Sequence, residues 1–294
     1  MSLPDARIHN VSDTALWVAT YRAMESERPD ALFRDPFARR LAGERGEAIV
    51  RALPGGASMA WTMIVRTAVF DELILRLTRE GGVDTVLDLA AGLDARPWRL
   101  DLPATLRWVD VDLPDMLAYK RGVLGAERAR CRYEARALDL RDAAARRSLF
   151  GELGASSQRA LVLSEGLLIY LEPREVAELA RDLSATPAFR WWVSDLASPA
   201  LLAWLTKRLG STLAAGNAPF RFAPDEGTRF FEPLGWREAE FRSTWEEAAR
   251  LRREMRFAWF WRCLARLAPA KQREGWRRFS GIVLFERKTS GEAR

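Results

Sequence analysis

The segment Asp88-Leu89-Ala90-Ala91-Gly92-Leu93-Asp94 takes a short apolar run into a turn of small residues. A turn of this kind after a strand lets a ligand approach the backbone closely at the carboxyl edge of a sheet. A purely structural turn reads the same way. Asp112 lies 20 residues after Gly92, just past a second apolar run. An acid at that distance is placed to grip the hydroxyls of a nucleotide-type ribose. Its other reading is the N-cap of a helix opened by Pro114. Asp139-Leu140 follows a third run, where the carboxylate could accept from an adenine amine while leucine packs on the ring. Ser164-Glu165-Gly166 ends a fourth. Consecutive strand ends are where open α/β sheets bind ligands.

Other chemistries find little support. Neither GxGxxG nor GxxxxGK[ST] occurs, which excludes a P-loop. A Ser-His-Asp or Cys-His enzyme would need the single histidine, His9, near the terminus. Cys131 and Cys263 are far apart in apolar surroundings and are expected as two buried free thiols. No disulfide framework and no metal site is expected. The net charge of +6 comes from 46 basic residues, of which four are lysine. Arginine is spread along the chain with acids interleaved, and the densest run, residues 250–256, has the spacing of a solvated helix face. Nucleic-acid binding is therefore not expected. The apolar stretch at residues 257–268 carries two arginines and is too short to span a bilayer. No signal peptide is read at the N-terminus, and a cytoplasmic location is expected.

The elements that must position these residues are legible in outline. Ser12 or Asp13 can cap a helix through Trp17, Val18 and Tyr21. Arg34-Asp35-Pro36 opens a second, with proline in its first turn. Residues 59–78 form a third, with Ile64, Phe70, Leu73, Ile74 and Leu77 on a helical period. Apolar runs at 85–89, 106–111, 131–138, 160–164 and 189–194 then alternate with helical segments at 114–124, 141–149 and 173–184. That alternation argues for βαβ units and a parallel sheet. Two more strand candidates, 236–243 and 281–287, flank a long helical stretch at 245–279. The expectation is an α/β chain forming a single domain over 1–294. It comprises a helical cover (1–80), a ligand-binding core (81–195) and substrate-side helices with the last two strands (196–294). Trp204, Phe220, Phe222, Phe230 and Phe231 are read equally as the wall of an apolar pocket or as core. Phe257, Trp259, Phe260 and Trp261 cannot share one face of a helix. They are expected to pack on the sheet on one side, and on the N-terminal cover or a partner subunit on the other.

Together these residues resemble the leucine carboxyl methyltransferase family of class I S-adenosylmethionine-dependent methyltransferases. That family includes protein phosphatase methyltransferases, a tRNA-modifying branch and bacterial enzymes acting on polyketide-like molecules. Residues 14–22 (TALWVATYR) followed by Ala23-Met24-Glu25-Ser26 resemble the bacterial opening helix. Phe33-Arg34-Asp35-Pro36-Phe37-Ala38 matches F-x-DP-x-A, and residues 66–71 match R-x3-FD. Residues 86–100 (VLDLAAGLDARPWRL) resemble V-x-L-GAG-LD-TR-x-x-R-L. VDLP at 111–114 with the later Lys120, DLR at 139–141 and EGLL-x-Y at 165–170 complete the match. Ala90 and Ala95 stand where the family has glycine and threonine. The methyl of Ala90 adds bulk beside the methionine moiety, and alanine tolerates most backbone conformations of negative φ.

The resemblance implies a class I, Rossmann-like fold with a seven-stranded, mostly parallel sheet flanked by helices and a helical N-terminal cover. It implies S-adenosylmethionine as cofactor. Arg66, helped by Arg22, would pair with the cofactor carboxylate. Arg66 reads otherwise as a helix-surface ion pair with Asp71 or a neighbour. Backbone around Ala90 and Gly92 would line methionine and ribose, Asp112 the ribose, Asp139 and Leu140 the adenine. Glu165 would face the amino group or the methyl end. Tyr170 is read equally as substrate-facing or core. The implied reaction is O-methylation of a carboxylate or hydroxyl of a small, largely apolar molecule, of the polyketide kind. A carboxylate is ionised at neutral pH and needs no base. A phenol or alcohol needs one, and Glu165 and Tyr170 are the candidates. A nicotinamide-dependent oxidoreductase and a non-catalytic binding module on the same fold are the alternatives. A small-molecule partner is expected, with no nucleic acid and no membrane, and the oligomeric state is left open.

Overall fold

A computed structural model describes residues 12–53, 55–215 and 218–289. His9 lies outside the described residues. Three helices come first: α1 (Asp13–Ser26), α2 (Ala38–Ala52) and α3 (Gly56–Glu80). The alternating part follows as β1 (Thr85–Leu89), α4 (Arg96–Arg99), β2 (Arg107–Asp112), α5 (Pro114–Leu124), β3 (Arg132–Ala137), α6 (Ala143–Ala155), β4 (Ala160–Ser164), α7 (Pro173–Ser184) and β5 (Phe189–Ala197). Then come α8 (Pro199–Ala215), β6 (Trp236–Ser243), α9 (Thr244–Arg250), α10 (Ala258–Leu267), α11 (Ala270–Arg277) and β7 (Ser280–Arg287).

The strands form one seven-stranded sheet in the order β3-β2-β1-β4-β5-β7-β6. β1 to β5 run parallel, and β7 inserts antiparallel between β5 and β6. Every residue of β1 (TVLDL) and β4 (ALVLS) is buried. Near-continuous apolar runs are what a central parallel strand needs, because helices cover both faces. Alternation along β1 sends Val86 to the face under α3, with Val69, Phe70 and Leu73, and Leu87 to the face under α6 and α7, with Phe150 and Leu179. The edge strand β3 (RYEARA) is charged and half-exposed, which discourages further pairing. Start signals are local. Pro114 and Pro173 occupy the first turns of α5 and α7, and Glu172 and Glu175 form a capping box. Asp142 accepts from the Ala144 and Ala145 N–H groups to cap α6.

Several expectations need correction. The second helix starts at Ala38, not at Asp35-Pro36: Asp35 Oδ1 accepts from the Phe37 N–H at 3.1 Å in a turn ahead of the helix, while its Oδ2 pairs with Arg22 at 2.9 Å. Ser12 sits at the α1 N-cap position without a side-chain capping bond. The stretch 245–279 is not one long helix. It breaks into three short ones, and between α9 and α10 both Arg252 (φ 54°) and Phe257 (φ 64°) adopt left-handed backbone. Its aromatic rings do not pack on the sheet: Phe257, Trp259, Phe260 and Trp261 are all exposed, and the last three stack edge-to-face on one another. Phe222 and Phe231 are core residues, and Phe230 packs against them. Cys131 is half-buried and Cys263 exposed, so the thiols are not both buried.

Beneath the carboxyl edge lies a buried charge. Lys120 Nζ stands 2.5 Å from Asp110 Oδ2, and both side chains are almost wholly buried. Tyr133 Oη donates to the same oxygen at 2.7 Å, and Trp108 Nε1 donates to Oδ1 at 2.9 Å. The ammonium also faces the rings of Trp98 and Tyr133. Removing one member of such a pair strands the other charge. Lys120→Met should therefore destabilise the fold by about 3 kcal/mol, read as a lower urea midpoint at unchanged m-value.

Candidate functional site

The carboxyl ends of β1, β2, β4 and β5 and the loop after β3 open into a cavity of about 2270 Å³, which α1, α3 and α8 help to enclose. Single-ligand pockets usually measure about 300–1,000 Å³, so this one has room for a cofactor and an acceptor together. Every residue expected at the site lines it: Arg22, Arg66, Ala90, Gly92, Asp112, Asp139, Leu140, Glu165 and Tyr170.

The turn after β1 is shaped by two left-handed residues, Ala90 (φ 53°) and Gly92 (φ 50°). Alanine here does not take the negative φ it would carry without strain. A left-handed non-glycine residue costs about 1–2 kcal/mol. Gly92 is needed for a second reason: a Cβ on it would lie 3.2 Å from the Ala15 Cβ of α1. Asp112 holds the turn in place. Its Oδ2 accepts from the Gly92 N–H at 2.6 Å and its Oδ1 from the Leu113 N–H at 2.7 Å. Burial raises the Asp112 carboxyl above its ordinary range, against the pull of these two N–H groups. Each oxygen keeps a further lone pair for a ligand hydroxyl.

Asp139 is half-exposed and accepts from Arg141 through its backbone N–H and its guanidinium. These bonds hold its carboxyl below the usual range. Leu140 packs partly on the core and presents the rest to the cavity. Arg22 ties the cover to the turn: Nε pairs with Asp35, and Nη2 donates to the Leu93 carbonyl at 2.5 Å.

Arg66 does not pair with Asp71. Its Nε meets Glu165 Oε1 at 3.0 Å and its Nη1 meets Asp195 Oδ2 at 3.1 Å. Asp71 belongs to Arg96 and Arg99. Arg96 Nη2 reaches Glu165 Oε2 at 2.8 Å, so both oxygens of Glu165 are taken by guanidinium groups. Burial works to raise the Glu165 carboxyl, but Arg96 and Arg66 outweigh it and hold it below the ordinary value. The Tyr170 phenol is pushed up by burial, although its hydrogen bond with Thr14 pulls the other way. Its ring lies 5.5 Å from Phe220, which with Trp204 forms part of the apolar wall.

Three residues were not singled out from sequence. Asp88, in β1, lines the cavity with Oδ2 buried and without a hydrogen-bond partner among the described residues. Burial, then the carboxylates of Asp94 and Asp110, push its carboxyl well above the ordinary range. A lone acid in an otherwise apolar central strand is the signal that marks it. Arg96 and Asp195 set the charge state of the site, and only tertiary structure brings them to Glu165 and Arg66. The orphaned Asp88 oxygen and the Gly92 backbone cradle fit the ammonium and ribose of S-adenosylmethionine. Arg66 lines the same cavity, its guanidinium shared between Glu165 and Asp195.

Residues 15–184 match the leucine carboxyl methyltransferase family. A Parafrankia protein, named provisionally as an S-adenosyl-L-methionine-dependent methyltransferase, is 38% identical over 188 residues, which span 60% of this chain and 60% of that protein. A Streptomyces avermitilis protein with the same provisional name is 33% identical over 258 residues, 80% of this chain and 86% of its own. The crystal structure of a provisionally named methyltransferase from Thermobifida fusca shares the fold. Its TM-score is 0.58 at 16% identity, over 98% of this chain and 97% of that one.

Two outcomes are expected. Asp112→Ala should weaken S-adenosylhomocysteine binding in isothermal titration by about 1.5–3 kcal/mol, the loss of charged hydrogen bonds, in a variant that keeps its circular dichroism. Ala90→Gly should raise stability to urea by about 0.5–1 kcal/mol, the left-handed strain less glycine's extra unfolded-state entropy.

Proposed function

The chain belongs to the leucine carboxyl methyltransferase family, and from that membership and the charges of the site we propose that it methylates a carboxylate of a small, largely apolar molecule. When bound, S-adenosylmethionine supplies a methyl group on a sulfonium that departs as a neutral thioether. Arg66 would receive the cofactor's carboxylate, helped by Arg22. Asp88 and Glu165 would face its ammonium. Asp112 would take the ribose hydroxyls, and Asp139 with Leu140 the adenine. Tyr170, Phe220 and Trp204 would wall the acceptor, and their apolar character supports the substrate class.

The observation that carries the reading is the pairing of both Glu165 oxygens with Arg66 and Arg96, beside the half-buried Tyr170. A general base works best with a pKa near the operating pH. Glu165 is tied to two guanidinium groups and held low, and Tyr170 is held high. Neither suits the removal of a proton from a phenol or alcohol, and Asp88, whose carboxyl burial raises, is assigned to the cofactor's ammonium. A carboxylate arrives already ionised and asks the protein only for positioning and exclusion of water. Glu165 then acts through Arg66 and Arg96, and Tyr170 by contact with the acceptor.

We place the acceptor among small molecules and not nucleic acids. Much of the surface arginine is neutralised in ion pairs, such as Arg39 with Glu27 and Arg40 with Glu127. The branch the sequence resembles supports a polyketide-like acid. No described helix is long and apolar enough to cross a membrane. The exposed free thiol of Cys263 supports a reducing, cytoplasmic setting.

The test is transfer of tritium from labelled S-adenosylmethionine to matched apolar carboxylic acids and phenols. Carboxylates should be labelled at a rate that stays flat from about pH 6 to 8, since they are ionised above about pH 5. Label confined to the phenols, at a rate climbing with pH, would overturn the carboxylate assignment. Binding of a nicotinamide dinucleotide without methyl transfer would overturn the reaction class.

A further inference from the structure

Ten large apolar side chains are exposed among the described residues, and seven of them fall between residues 255 and 279. Phe257, Trp259, Phe260 and Trp261 cluster at the start of α10, with Trp276 and Phe279 near the end of α11 and beyond. In the first turn of α10 only Ala258 is buried, so this turn stands proud of the body. The same 25 residues hold seven basic side chains against one acid, Glu274. Arg277 and Arg278 are paired with carboxylates. Arg256, Lys271 and Arg273 have no carboxylate partner among the described residues, and Arg256 lies over the Phe257 ring at 4.9 Å. Trp261, Trp276, Phe279, Arg256 and Arg273 also line the outer part of the cavity, so the patch runs into its mouth.

We propose that this aromatic and cationic face docks on an anionic phospholipid surface. Tryptophan and phenylalanine settle at the level of lipid headgroups, and arginine and lysine beside them attract anionic lipid. A second copy of the chain is a poor occupant, because a two-fold contact would press one cationic patch against its twin. A surface that stands proud suits a broad, deformable partner, and its continuity with the cavity brings the mouth to the bilayer. The sequence reading expects no membrane partner. It weighed these rings as packed residues, and they are exposed. Surface docking requires no spanning helix. The inference stands independently of which acceptor is methylated.

The test is co-sedimentation of the full chain with vesicles of phosphatidylglycerol and phosphatidylcholine in equal parts, against phosphatidylcholine alone. Binding to the anionic vesicles should be at least about tenfold stronger and should weaken as salt is raised. Trp259→Ser with Phe260→Ser should abolish it. Both residues are exposed and lie outside the cavity wall, and circular dichroism checks their fold. Lys271→Glu, a change at one exposed cation, should weaken binding to anionic vesicles and leave the weak binding to neutral ones unchanged. Equal or absent binding to the two vesicle types would overturn the proposal. So would full binding by the double variant. A dimer in light scattering that the double variant disperses, with no vesicle binding, would assign the face to a second copy. Capture of one acidic protein without vesicle binding would assign it to that protein, and either result would overturn lipid docking.

Discussion

A single run of alternating buried and half-buried charges joins the cover to the sheet and the sheet to the site. It passes from Arg22 through Asp35 to Arg99 and Asp71, then through Arg96, with Asp94 at its side, to Glu165, Arg66 and Asp195. These groups come from α1, the loop before α2, α3, the turn after β1, α4 and the ends of β4 and β5. Isolated buried ion pairs roughly break even against their desolvation. Here Arg66, Arg96 and Arg99 each meet two or three carboxylates from different segments, and a guanidinium that loses them is left uncompensated, so the run holds only if the segments arrive together. The helical cover is thereby keyed to the cavity it closes, and the fold and the site share one electrostatic constraint.

The same run sets the chemistry. Four guanidinium groups face five carboxylates, so the array carries one negative charge in excess. A cofactor bearing a sulfonium, an ammonium and a carboxylate has one positive charge in excess, and the two balance. The balance also explains why Glu165 is a poor base. Its two guanidinium neighbours stabilise the charged form. Asp88 sits just outside the run, without a guanidinium of its own, and its carboxyl moves in the opposite direction. Two carboxyl groups lining one cavity thus hold opposite protonation tendencies, decided by which of them arginine reaches.

Legibility in the sequence followed the range of the forces involved. β1, β4, α5 and α7 match their sequence-derived bounds because each is set by local signals: a run of buried apolar residues, a proline in the first turn, a capping box. That these residues would share one cavity was legible because strand ends collect in one place once the sheet is parallel, whatever the side-chain partners. The partners themselves were not. Arg66, read with Asp71 on its own helix, meets Asp195, 129 residues away, through the fold. Asp35 likewise meets Arg22 only through the fold. Pro269 marks the break between α10 and α11, but the break between α9 and α10 left no trace: left-handed backbone at Arg252 and Phe257 lacks the glycine that would announce it. Ala90 belongs to the same class, and its strain sits against the ligand edge, where sequence reading had allowed for bulk alone.

The choice between arginine and lysine ties these points together. Arginine throughout the chain reads from composition as coding bias, yet the buried run needs its geometry. Arg96 uses three separate nitrogens on Asp71, Asp94 and Glu165, a span that a single ammonium cannot cover. Lysine is placed where one point charge suffices. Lys120 meets one carboxylate oxygen and lies against two aromatic rings, with no second acid to bridge. On the surface the planar head gives arginine another use, since Arg256 and Arg278 lie over the rings of Phe257 and Phe241. Where carboxylates are near, as at Arg278, the guanidinium is spent on them. Around α10 and α11 acids are scarce, and Arg256, Lys271 and Arg273 keep their charge beside exposed rings. A composition bias can supply arginine anywhere, but it cannot explain why the acids that neutralise it elsewhere are missing along this one rim of the cavity.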